Sequence, residues 1–127
     1  MGTAAYNLDD FIQCCKNGSK SVIVHNDAKT NAREQFGLKT EEELLAFIGN
    51  DGLQDLTYLN TEPWRLNPRK KDKEILIDAY KFLTNRKLGY IAFMKGISGN
   101  FIIKSFHLDH DKLTTKDISG NSEKLLR

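Results

Sequence analysis

Tyr90, Ser105 and His107 are the residues of this chain whose types and spacing suit chemistry. They lie in the stretch Leu88 to Asp109, LGYIAFMKGISGNFIIKSFHLD, where two runs of β-branched and aromatic residues flank the turn Gly96-Ile97-Ser98-Gly99. That pattern predicts a β-hairpin at the centre of a sheet. With a four-residue turn, Lys95 pairs with Asn100 and Tyr90 opposes Ser105. His107 is then a diagonal neighbour of Tyr90, roughly 7–8 Å away between backbones. All three share one face at the open end of the hairpin, with Met94, Phe101 and Ile103 on that face nearer the turn. Ile91, Phe93, Ile102 and Phe106 take the other face, with Lys95 and Lys104. A one-residue slip breaks the grouping.

Metal-free RNA cleavage needs a base for the 2′-hydroxyl, an acid for the leaving 5′-oxygen and a cation for the phosphate charge. His107 suits either proton-transfer role, because imidazole titrates near neutrality. Tyr90 suits hydrogen-bond donation, acid catalysis or stacking on a base. Arg65, Lys73, Lys104 and Ser105 are the candidate substrate contacts. The plainer reading is an ordinary half-buried Tyr–His pair at a sheet end.

The net charge is only +2, so overall charge does not announce a nucleic-acid binder. Distribution says more: Arg65, Arg69, Lys70, Lys71 and Lys73 face a single Asp72 in one polar loop. Such a loop is either a handhold for phosphates or simply a solvated segment. Trp64 sits at its start and reads as a buried anchor rather than a stacking surface.

Other chemistries find little support. His107-Leu108-Asp109-His110-Asp111 is dense in metal-ligand types, but zinc needs three or four convergent ligands and His25 stands alone in the other half of the chain. No phosphate-binding glycine loop, dinucleotide fingerprint or nucleophile elbow occurs. Cys14 and Cys15 are adjacent and point to different helix faces, which suits free thiols in a reducing cytoplasm. No cofactor is expected. No apolar run approaches the ~20 residues of a membrane span, and Met1 to Lys16 lacks the apolar core of a secretory signal. No membrane partner is expected, and the expected location is cytoplasmic.

The elements that must position these residues follow in order. Asn7 caps a helix from Leu8 to Lys16, with Leu8, Phe11, Ile12 and Cys15 on one face and Asn17-Gly18 at its end. Val22-Ile23-Val24 suits a short strand or the lead-in to the next helix. Asn26 or Asp27 caps a second helix that runs to about Phe36 and closes at Gly37. Thr40-Glu41-Glu42-Glu43 is a capping box in which Glu43 reaches back to the Thr40 amide. It opens a third helix that buries Leu44, Leu45, Phe47 and Ile48. Gln54 to Asn60 suits a strand or an irregular extended run, and Thr61 to Lys73 is the polar, Pro-containing loop with the basic cluster. Ile75 to Phe82 alternates as a strand, and Asn85-Arg86-Lys87 turns it into the hairpin. With 127 residues, 39% hydrophobic and 28% charged, the chain suits one soluble domain over residues 1–111 with a polar extension over 112–127.

This ordered layout resembles the MqsR-type toxins of the wider RelE-like group of bacterial messenger-RNA interferases. The resemblance runs from Leu8 to His107. It rests on the Asn17-Gly18 turn, the helix order, the polar loop with Trp64, Gly89-Tyr90, and the closing run Ile102-Ile103-Lys104-Ser105-Phe106-His107. It implies an α+β domain with N-terminal helices packed on a small antiparallel β-sheet, Tyr90 at the family's active-site tyrosine, and His107 at the position of a catalytic lysine. Two positions depart: Tyr58 falls near a family lysine, and Arg65 follows Trp64 where the family has glutamine. The implied function is a metal-independent endoribonuclease toxin cleaving single-stranded messenger RNA, with a cognate antitoxin protein as partner. The rival readings are a non-catalytic module that binds nucleic acid or protein on the same scaffold, and a dead nuclease kept as an antitoxin or regulator.

Overall fold

A computed structural model describes residues 3–18, 21–67 and 74–109. Three helices, α1 (Leu8–Asn17), α2 (Asn26–Phe36) and α3 (Glu41–Gly49), cover one face of a five-stranded sheet. The strands are β1 (Val22–Val24), β2 (Gln54–Pro63), β3 (Leu76–Thr84), β4 (Lys87–Lys95) and β5 (Phe101–Leu108), in the spatial order β1-β5-β4-β3-β2. The fold is α+β. Two expectations need correction. The sheet is mixed rather than antiparallel, because β1 runs parallel to β5. The helices are not one N-terminal block, because β1 lies between α1 and α2. Val22 and Val24 are buried while Ile23 is exposed; that alternation settles the short run as an edge strand.

The helix ends follow their capping chemistry. The Asn7 side chain accepts from the Asp10 amide, and Gly18 ends α1 at φ +103°. The Thr40 hydroxyl accepts from the Glu43 amide at 3.0 Å. The Glu43 carboxylate reaches one residue further than expected and takes the Lys39 amide at 2.7 Å, not that of Thr40. His25 occupies the N-cap position of α2, so Asn26 and Asp27 are already helical. β2 extends through Thr61, Glu62 and Pro63, beyond the expected start of the loop.

The core lies between the helices and the sheet. Phe11 and Phe93 stack at 3.8 Å, and Phe82, Ile91, Phe101, Ile103 and Phe106 complete the sheet side. Asp78 is fully buried among them. It accepts from the Ala5 and Tyr6 amides at 2.9 Å and from the Thr61 hydroxyl at 2.6 Å, which ties the N-terminal segment to β3. Those donors meet the requirement that a buried carboxylate be hydrogen-bonded.

The β4–β5 register corrects the expected one. The turn holds five residues, so Lys95 pairs with Phe101 rather than Asn100. A β-bulge then shifts the pairing once more, so that Phe93 opposes Ile103 but Ala92 opposes Ser105. One extra residue, Lys104, lets both Ile103 and Phe106 reach the core, although strict alternation would put them on opposite faces. Phe101 and Ile103 therefore face the helices instead of sharing Tyr90's side. The two shifts sum to two residues, which restores the face parity at the open end, and Tyr90 lies directly opposite His107 rather than Ser105.

Candidate functional site

The sheet face away from the helices carries the predicted residues. Cross-strand partners share a face, so the pairings Thr57–Lys81, Lys81–Tyr90 and Tyr90–His107 draw one row across four strands. The Tyr90 and His107 rings stack with centroids 5.0 Å apart and planes 20° apart. His107 Nδ1 lies 2.8 Å from the Leu108 carbonyl oxygen. A carbonyl only accepts, so Nδ1 is the donor, and the neutral ring keeps its lone pair on Nε2. The Leu108 amide in turn donates to Gln35 Oε1 of α2 at 2.7 Å, and the Asp109 amide donates to the Leu88 carbonyl at 2.9 Å. The backbone that orients His107 is thus clamped from both sides.

Burial pushes the Tyr90 hydroxyl above its ordinary value of 10.0, and the carboxylates of Glu62 and Asp109 add to the effect. The phenol therefore stays protonated and serves as a donor, not a base. Two strand positions toward the turn, the pairs Ala79–Ala92 and Ala92–Ser105 form the next row. Ala79, Ala92, Tyr90, Ser105, Lys104, Asn60 and Glu62 line a depression of about 200 Å³. The five-residue turn brings Lys104 onto this side, where the expected four-residue turn had placed it on the opposite one. A second hollow of about 380 Å³ shares Glu62, Pro63, Ile77 and Lys104 with the first and adds Trp64, Arg65 and Leu66. Arg65 and Lys104 thus stand on a common wall, and the two hollows form one trough.

Tyr90, His107, Ser105, Lys104 and Arg65 accordingly lie on one face or its rim. Lys73 and the remaining basic-loop cations lie outside the described residues, as do His110, Asp111 and the extension. Trp64 is half-buried with its Nε1 buried and unpaired among the described residues, which fits an anchor at the trough rim. Sequence reasoning missed Lys81, Gln35, Asn60 and Glu62. Their relation to Tyr90 and His107 exists only through strand pairing and the docking of α2, and no local motif marks it. The thiols take no part: Cys15 is buried in α1, and burial with Cys14 beside it pushes its thiol up to about 12. Among the described residues no three His, Cys, Asp or Glu side chains converge, and no helix is long and apolar enough to cross a membrane.

No family model matches the chain, and no curated protein and no solved structure matches it either.

Proposed function

We propose that this chain is an endoribonuclease that cleaves single-stranded RNA with side chains as its acid, base and cation. The observation that carries the reading is the stacked Tyr90–His107 pair, with Nδ1 of His107 committed to Leu108 and Nε2 left for proton transfer. In this mechanism Nε2 takes the proton of a ribose 2′-hydroxyl, and the 2′-oxygen attacks the adjacent phosphorus. A 2′,3′-cyclic phosphate forms as the bond to the 5′-oxygen breaks. The Tyr90 hydroxyl supplies the proton that the departing oxygen needs, and Lys104 and Arg65 neutralise the phosphate. The toxin role and the antitoxin partner are inferred from the resemblance to MqsR-type proteins, which rests on short motifs and element order alone.

The test is cleavage of an end-labelled single-stranded RNA by purified protein in a buffer containing a chelator. Wild type is expected to release fragments ending in a cyclic phosphate. His107→Ala is expected to lose about 10²-fold or more in rate, the span of general acid–base catalysis. Intact RNA after prolonged incubation with wild type sinks the enzyme reading. Tight RNA binding without cleavage replaces it with a binding module on the same face. Full activity in His107→Ala removes the site assignment.

A further inference from the structure

We propose that the depression over Ala79 and Ala92 is a nucleobase subsite that selects guanine through the Glu62 carboxylate. The two alanines make a shallow floor between the Tyr90 ring and the bulged strand. At about 200 Å³ the hollow is smaller than a typical drug-sized site and suits one flat ring rather than a whole nucleotide. Its rim carries Asn60, Glu62, Lys104 and Ser105. None of these side chains makes a hydrogen bond or ion pair among the described residues, so their donors and acceptors are free for a ligand.

Glu62 decides which base. An ionised carboxylate accepts only, through two oxygens held side by side. Guanine alone among the four bases presents a ring N–H beside an exocyclic amine, two donors that match this fork. Adenine and cytosine pair one amine with an adjacent ring acceptor, which a carboxylate oxygen repels. Uracil flanks its single N–H with two carbonyls. Lys104 belongs to both hollows of the trough and would hold the phosphate attached to that guanosine.

The inference rests on the ribonuclease reading for its biological substrate, whereas binding is measurable without cleavage. Calorimetric titration with the four nucleoside 3′-monophosphates is the experiment. The guanosine nucleotide is expected to bind at least about tenfold more tightly than the others, the scale of one good bidentate contact. Glu62→Gln, at an exposed position, is expected to abolish that preference. Ala92→Leu is expected to fill the floor and weaken all four. Equal affinity for the four nucleotides, no binding of any, or an unchanged preference in Glu62→Gln overturns the subsite. Guanosine nucleotide binding without RNA cleavage keeps the subsite and removes the nuclease. Cleavage without guanine preference does the reverse.

Discussion

Tyr90 and His107 face each other directly across β4 and β5, rings stacked at 5.0 Å, although they lie on strands separated by a five-residue turn and a bulge. This placement depends on the turn length and the bulge together. Either change alone would bring the two residues to opposite faces of the sheet.

Gln35 is expected to act as a positioning residue for His107. Its Oε1 accepts from the Leu108 amide, whose own carbonyl holds His107 Nδ1. Gln35→Ala leaves that amide without its partner and loosens the imidazole. RNA cleavage should fall several-fold in kcat with little change in KM, and the imidazole NMR signals should broaden. Gln35→Glu retains an acceptor oxygen and should recover most of the rate. Equal losses in both variants rule out the positioning role.

Lys104 is expected to contribute to RNA affinity through charge. Each phosphate contact adds about 0.7 to the slope of log affinity against log salt for a single strand. Lys104→Ala should flatten that slope by about this amount, measured by fluorescence anisotropy over a salt series. Lys104→Arg should preserve it. An unchanged slope in Lys104→Ala shows that the ammonium meets no phosphate.

Gly89 is required by packing. It pairs with Phe82, and a β-carbon at this position would clash with the outer edge of the Phe82 ring. Gly89→Ala forces the ring or the strand to move and should destabilise the fold by about 1–3 kcal/mol, the usual cost of overpacking. Chemical denaturation measures it. A second substitution, Phe82→Leu, should relieve part of the penalty in Gly89→Ala, which a purely conformational effect would not allow.

Alkaline stability should report the buried thiol. Cys15 is raised from 9.0 to about 12, mainly by burial. Because the folded value lies above the unfolded one, the stabilisation is complete below 9.0 and is lost as pH rises toward 12. Burial raises the Tyr80 and Tyr90 hydroxyls as well, which adds loss above 10.0. The melting temperature should fall between about pH 9 and about pH 12. The fall should be smaller in Cys15→Ala, even though that variant starts lower. An equal fall in both proteins removes the thiol from the account.

Local chemistry was legible in the sequence. The caps at Asn7 and Thr40, the left-handed close at Gly37 and the strand alternation of Leu76, Asp78, Tyr80 and Phe82 all follow from neighbours within a few residues. The turn at Asn85-Arg86 was legible as well, although both residues adopt positive φ without a glycine, at +46° and +66°. Such values at both central positions belong to a two-residue primed turn, which matches the twist of β3 and β4.

The hairpin register was not legible, because its deciding residue is defined by distant packing. Nothing around Lys104 marks a bulge. The bulge exists because Phe101, Ile103 and Phe106 all fill the core beneath α1, α2 and α3, and an even alternation cannot deliver all three. Pairing of β2 with β3 brings Asn60 and Glu62 to the rim, on the side that Lys104 shares with Tyr90.

The sequence by itself determined the three helices and the two strands of the hairpin. It left Val22–Val24 open between a strand and a helix lead-in, and it put Tyr90 and His107 on one face through a four-residue turn that the structure replaces with a five-residue turn and a bulge. Only the tertiary structure decided that the two residues stand directly opposite, that β1 joins β5 in parallel, and which side chains surround them. Capping and alternation are short-range and written in adjacent residues. Register, bulge and face depend on how the helices and the sheet fill one shared core.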